Sequence, residues 1–324
     1  MKHIKTLLFL LFLLPPTLPA IQLENRMPES VWQAEISLKI VPLYSRAFNG
    51  YGEEAPLQNL MLWDRGWYDL VEGELKREEK WLELKLAYGL TEDWVVEAMI
   101  PMVQKIQSSS LKFDAGTPDQ QKVISNLSSE ELNGLGDINI QFGKDLSYST
   151  TWHNRGGFTT RLPTGNKGMR RGISSNSIGE GHGSVGAFIH VTWYPLVHGI
   201  RNCFRIEGKN ELTGERETLE GEKVYYSAGH RADLYYSWSI ERQNVFAGTE
   251  LHYFQQSESK LPTGESNASF LKEINFEFGY GNLSELEQKP LSYPWQVRIG
   301  YTRPFAGQNT PLIHRWELSS TFLF

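Results

Sequence analysis

Three groupings of residues in this 324-residue chain could do chemistry. The first is His182-Gly183-Ser184 within GEGHGSVG. Residues two apart share one face of a strand, and a base beside a hydroxyl is how a serine is activated. Turned toward lipid, such a pair could cleave an ester. The second is a ridge of cations, Arg201, Arg205 and Lys209, spaced every fourth residue, with Glu273 and Glu277 as an acidic counterpart. The third is a scatter of charges at the same parity in other segments: Arg161, Arg231, Glu250 and Arg298. Metal chemistry finds no support, since the eight histidines show no ligand spacing. The Gly-rich GEGHG is followed by no helix that could present amides to phosphate, so a nucleotide site is not expected. No cofactor is implied.

What these groups do depends on the elements that carry them, and the period is 2 throughout. In RWELSSTFLF, Trp316, Leu318, Ser320, Phe322 and Phe324 fall on one face, and Arg315, Glu317, Ser319 and Thr321 on the other. Such alternation marks a strand between two environments. Twelve segments read this way: 31–46, 79–90, 94–106, 134–146, 155–164, 182–195, 200–212, 224–240, 245–256, 269–281, 293–304 and 314–324. A tilted strand needs about 9–11 residues to cross a bilayer.

The bulk properties agree with export. MKHIKTLLFLLFLLPPTLPA has a basic start, an apolar run and a small-residue exit, the layout of a secretory signal. We expect residues 1–20 to be removed and 21–324 to form one domain. Losing Lys2 and Lys5 takes the formal charge from -6 to -8, which disfavours nucleic acid as a partner. A single cysteine, Cys203, allows no internal disulfide. Mean hydropathy is -0.41, but a membrane β-barrel alternates polar and apolar residues and escapes window averages.

Short links at 91–93, 196–199 and 241–244 interleave with long polar loops at 47–78, 107–133, 165–181, 213–223 and 257–268. Short turns on one side and long loops on the other are a barrel pattern. Aromatics gather at strand ends. Trp32, Tyr88, Trp94, Trp193, Trp238, Phe278, Trp295 and Phe322 belong to the short-turn side. Tyr44, Trp81, Tyr226, Tyr253, Phe270, Tyr301 and Trp316 belong to the other. Pro101, inside a strand, is read as the point where that strand leaves the membrane. The fold expected is all-β: a transmembrane antiparallel up-and-down barrel of about 12 strands, in the outer membrane of a Gram-negative bacterium. Closure pairs 314–324 with 31–46.

LAYGLTEDWVVEAMIPMV (86–103), GLGDINIQFGKDL (134–146) and GGFTTRLPTGNKG (156–168) together resemble the outer-membrane barrels named for the meta-pathway of phenol degradation, and related proteobacterial barrels. The matching blocks cover residues 82–196. The resemblance implies a barrel and transport of small molecules. The terminal aromatic strand, ending at Phe324, resembles the signal by which such barrels are recognised by the barrel-assembly machinery.

Parity gives the inner face ten acids and nine bases, among them Arg161, Arg201, Arg205, Lys209, Arg231, Glu250, Glu273, Glu277 and Arg298 as lumen-lining candidates. A strongly selective filter uses rings of one sign, so two readings stay open. One is a narrow lumen filled by ion pairs, serving a structural or receptor barrel. The other is a channel or uptake protein for a small solute, apolar or aromatic among the options. His182 and Ser184 share the inner parity, away from lipid, so a lipid-modifying enzyme is the weakest reading and no catalysis is expected.

Overall fold

Twelve antiparallel strands close into a barrel in this computed structural model. It describes residues 30–62, 71–113, 116–149, 151–165, 182–195, 199–217, 223–227, 229–242, 244–257, 260–261, 264–265, 268–281 and 295–323. In chain order the strands are β1 (Trp32–Tyr44), β2 (Leu75–Gly89), β3 (Trp94–Ser109), β4 (two stretches, Glu130–Leu135 and Ile138–Tyr148), β5 (Trp152–Leu162) and β6 (Ser184–Trp193). They continue as β7 (Ile200–Glu211), β8 (His230–Arg242), β9 (Val245–Gln256), β10 (Ser269–Gly281), β11 (Trp295–Gln308) and β12 (Arg315–Leu323). Each strand pairs with its neighbours in sequence, and β12 returns to β1 in the register Gln33↔Leu323 to Ile40↔Trp316. The expected seam is therefore present, and no barrel edge is left open. Phe324 and the expected export signal lie outside the described residues.

The two faces follow from the alternation. On β7, Phe204 and Ile206 point out and are exposed, while Arg205 and Glu207 point in. Ile36, Leu38, Leu82, Phe158, Ile189, Phe276 and Leu318 are likewise exposed on the outside. A soluble chain buries an apolar belt of this extent; here the buried side is the polar one. Rings pair along both rims: Trp32–Tyr88 at 4.6 Å and Trp152–Trp193 at 5.9 Å at the short-turn end. Tyr253–Phe270 at 6.4 Å and Tyr301–Trp316 at 4.6 Å pair at the other.

Two rings expected in the outer rim point inward instead. The Tyr44 hydroxyl donates to Glu79 Oε1 at 3.0 Å, and Trp81 Nε1 donates to Glu79 Oε2 at 3.0 Å. A bulge between Val41 and Tyr44 flips the parity of Tyr44. Trp81 shares the odd parity of Glu79 and Glu83, and that parity outranks its place near the strand end.

Pro101 lies within β3, which runs on to Ser109. Opposite it, β4 breaks between its two stretches: Met99 pairs with Asn139 and Met102 with Leu135, so β4 carries one extra residue. Proline has no N–H to give to the ladder, and the bulge removes the need for one. Gly136 N instead donates to the Pro101 carbonyl at 2.7 Å. A Cβ at Gly136 would lie 2.9 Å from Pro101 Cγ, so the close approach requires glycine. Thr164 and Gly165 of RLPTG close the bulge: Thr164 Oγ1 donates to the Gly136 carbonyl at 2.9 Å, and Gly165 N donates to Asp137 Oδ1 at 2.8 Å.

The long-loop side is more ordered than its polar composition suggests. The expected strand 224–240 divides: Lys223–Ser227 pairs with Thr213–Glu217, and the barrel strand starts at His230. Residues 46–48, 54–56 and 310–311 form a small sheet beside the mouth. Helix α1 (Leu57–Leu62) follows, and its Leu57 is wholly buried against Val41, Tyr44, Ala47 and Leu75. Val41, Tyr44 and Leu75 belong to the inner face, so this helix packs inside the rim of β1 and β2. Helix α2 (Pro118–Asn126) begins at a capping box in which Thr117 and Gln120 exchange hydrogen bonds, with Pro118 at its first position. Its Val123 and Ile124, with Leu127 beyond, join Leu62 and Val71 in a second apolar cluster.

Candidate functional site

The inner wall is the place where charged and aromatic side chains converge. Its register comes directly from the ladders. Across β6, β7, β8, β9 and β10, His190, Arg205, Tyr235, His252 and Glu273 lie side by side in one row. One step toward the long-loop end, Phe188, Glu207, Asp233 and Phe254 form the next row.

Most inward charges are held by partners. Glu207 accepts from Arg205 Nη2 at 2.7 Å and from Lys209 Nζ at 2.8 Å. Asp233 accepts two bonds from Arg231, each 2.8 Å, and lies 3.1 Å from His252 Nε2. The other ring nitrogen, His252 Nδ1, lies 2.9 Å from Glu273, which Arg315 approaches to 3.8 Å. A continuous polar chain thus runs Arg231–Asp233–His252–Glu273–Arg315 across β8 to β12. On the far side Lys39 meets Glu83 at 2.6 Å, Lys85 meets Glu97 at 3.0 Å, and Arg155 meets Asp145 at 2.7 Å. Arg205 Nη2 also reaches Gln141 Oε1 on β4 at 3.3 Å, passing over β5 and β6. Such pairing is what charges need when they are taken out of bulk water.

The nine sequence candidates have unequal surroundings. Arg161, Arg205, Lys209, Arg231, Glu273 and Arg298 sit in ion pairs; Arg298 donates to Glu35 at 3.0 Å. Glu277 accepts from Asn275 Nδ2 at 2.7 Å. Arg201 donates to Ser239 Oγ at 3.3 Å and lies 5.9 Å from the Phe246 ring. The half-buried Glu250 has no ion pair or hydrogen bond from its carboxylate among the described residues. The net charge is uneven: β5 and β7 carry Arg155, Arg161, Arg201, Arg205 and Lys209 against Glu207 and Glu211, while β9 and β10 carry Glu250, Glu273 and Glu277 and no inward lysine or arginine among the described residues.

The His182 imidazole is engaged by a carboxylate and a guanidinium. His182 Nε2 lies 3.1 Å from Glu211 Oε2 and 2.9 Å from Arg161 Nη2, and Arg161 also donates to that carboxylate. Both His182 and Ser184 are buried on the inner face, and among the described residues no hydrogen bond joins the serine hydroxyl to the imidazole.

Sequence reasoning missed Phe188 and Phe254 among the inward rings, though it set Tyr235 and His252 on the polar face. The Arg205 guanidinium lies 4.7 Å from the Phe188 ring and Arg231 lies 4.6 Å from Phe254. Tyr235 stacks on His252 at 4.1 Å with 2° between the planes. Parity could have found them: Phe188 has the parity of Ser184 and His190, and Phe254 that of Glu250 and His252.

No protein-family model matches this chain, and no curated protein matches it in sequence. Among solved structures, the COG4313 outer membrane channel from Pseudomonas putida F1 aligns with a TM-score of 0.65 over 96% of this chain and 100% of its own, at 13% identity. The β domain of the Bordetella autotransporter BrkA aligns at 0.44 over 91% and 100%, at 8% identity. The CymD monoaromatic hydrocarbon channel aligns at 0.39 over 92% and 88%, at 9% identity. At such identities the first of these is a likeness of fold, and the other two scores carry nothing further.

Proposed function

We propose that this chain is a barrel of the Gram-negative outer membrane that passes a small solute through a narrow, charged lumen. The observation that carries the reading is the uneven net charge of the inner wall. Local ion pairs would suffice to fill a purely structural barrel. Here the pairs still leave β5 and β7 with an excess of cations over Glu207 and Glu211, while β9 and β10 carry acids and no inward lysine or arginine among the described residues, and Glu250 has no bonded partner. That imbalance sets a field across the lumen, which orients a dipolar solute as it passes. The exposed apolar belt and the two ring-lined rims support the membrane placement. The likeness to a structure described as an outer membrane channel supports it too.

The solute is read as small, with apolar or aromatic compounds in its range. Phe188, Tyr235, Phe246 and Phe254 turned inward support the aromatic part. Residues 1–20 are read as the removed export signal. The strand ending at Phe324 is read as the part recognised by the barrel-assembly machinery.

A second reading, a receptor or structural barrel with a closed lumen, is favoured by one observation: α1 packs inside the rim. Conductance in planar bilayers separates the two. A channel gives discrete openings; a stably folded, heat-modifiable and silent barrel belongs to the second class. A liposome uptake panel of phenols, fatty acids and sugars then identifies the solute class.

A further inference from the structure

The outer surface of the barrel is apolar or aromatic over most of its height, yet at the long-loop end of β10 and β11 it carries two exposed cations, Lys272 and Arg303. Arg303 pairs with Ile274, and Lys272 is two residues further along the same face of β10. Diagonal neighbours of this kind lie about 7–8 Å apart. The Lys272 ammonium rests over two rings, 5.9 Å from Tyr253 and 6.0 Å from Phe270. Just below, Tyr301 and Trp316 form the rim pair, and Tyr301 shares a 2.8 Å hydrogen bond with His314 Nδ1. The two cations therefore stand at the upper lip of the apolar belt, where a bilayer changes from acyl chain to head group.

Lacking acid partners, they differ from the lysines of β2, though not from Lys144, which lies outward at the short-turn end of β4, 5.4 Å from the Trp94 ring. On β2 the outward lysines each have a carboxylate on the same strand: Lys80 with Glu78 at 3.0 Å and Lys76 with Glu74 at 2.7 Å. Lys272 and Arg303 have none among the described residues. The neighbouring outward positions, Gln255, Phe270, Ile274 and Phe305, are uncharged. Two fixed cations beside an apolar wall complement an anion that is itself anchored in the same plane. Phosphate fits both: it accepts charge-assisted bonds from guanidinium and ammonium, and basic residues at a membrane surface recognise lipid head groups this way.

We propose that Lys272 and Arg303 form a docking site for the phosphate groups of a phosphorylated glycolipid in the leaflet around the barrel. Phe270, Tyr301 and Trp316 lie against its sugar and acyl portions. The site rests on the membrane placement argued above and is independent of whether the lumen conducts.

The test uses the full chain, folded in detergent micelles and checked by heat-modifiable migration. Binding of a fluorescent bisphosphorylated disaccharide lipid is compared with its dephosphorylated form. Replacing both cations, Lys272→Gln with Arg303→Gln, should weaken binding by about 30-fold, and each alone by about fivefold. Lys80→Gln should leave it unchanged. The single variants keep the test decisive if the double variant does not fold. Binding by the variants as tight as that of the wild type would overturn the site. Equal binding of the dephosphorylated lipid would do the same. Fractionation of cells tests the placement separately: a chain in the soluble fraction overturns the membrane reading, whereas a membrane barrel indifferent to phosphate overturns only this site.

Discussion

Arg298 on β11 donates to Glu35 on β1 at 3.0 Å, reaching over β12. Thr321 of that intervening strand donates to the same carboxylate oxygen at 3.1 Å. The seam between the first and last strands is thus clamped from inside as well as by its ladder. Both side chains are mostly shielded, at 18% and 20% exposure, so removing one leaves the other poorly solvated. Glu35→Gln should cost about 2–3 kcal/mol. The measure is the urea midpoint of the heat-modifiable barrel, and an unchanged midpoint would remove the clamp from the account.

Gly307 makes room for Phe48. A Cβ there would lie 2.5 Å from Phe48 Cδ2 and 2.8 Å from Thr310 Cγ2. Gly307→Ala should push the 46–56 hairpin off the rim while leaving the barrel closed. Limited proteolysis from the long-loop side should then cut within 46–62 faster than in the wild type. Equal cleavage rates would show that the rim does not depend on this contact.

Leu57 anchors α1 against Val41, Tyr44 and Leu75. Leu57→Ala should weaken that packing by about 2–5 kcal/mol. The loss belongs to the cap rather than the barrel, so the barrel's unfolding midpoint should hardly move. The open fraction of single-channel records should rise. A lowered barrel midpoint with unaltered gating would mean that α1 supports the wall instead of covering the mouth.

Glu250 offers a cleaner probe of the lumen, because no bonded partner is orphaned by changing it. Glu250→Gln should alter stability by no more than about 0.5 kcal/mol. It should shift the reversal potential in a salt gradient toward anions. Arg201→Gln should shift it toward cations. Shifts of the same sign, or none, would contradict a path along this wall.

The strands were legible because two environments impose a period of 2, and each segment obeys it over 9 to 16 residues. The seam followed from closure alone. What failed were places where the period is interrupted. The bulge before Tyr44 turned an expected rim residue inward, and the extra residue at Gly136–Asp137, opposite Pro101, has no local signal in the alternation. Segment 47–78 read as a polar loop, although Leu57, Leu60 and Leu62 have the makings of a buried helical face. The inward charges were legible by parity, whereas their partners were not. Pairings such as Arg205 with Gln141 depend on barrel diameter and shear, which no local pattern encodes.

The measurement that bears most directly on the central claim is single-channel recording of the purified wild-type chain in planar bilayers. The account predicts discrete, small openings whose ion preference moves in opposite directions in Glu250→Gln and Arg201→Gln. A folded, heat-modifiable barrel that stays silent under every salt gradient and voltage would contradict it.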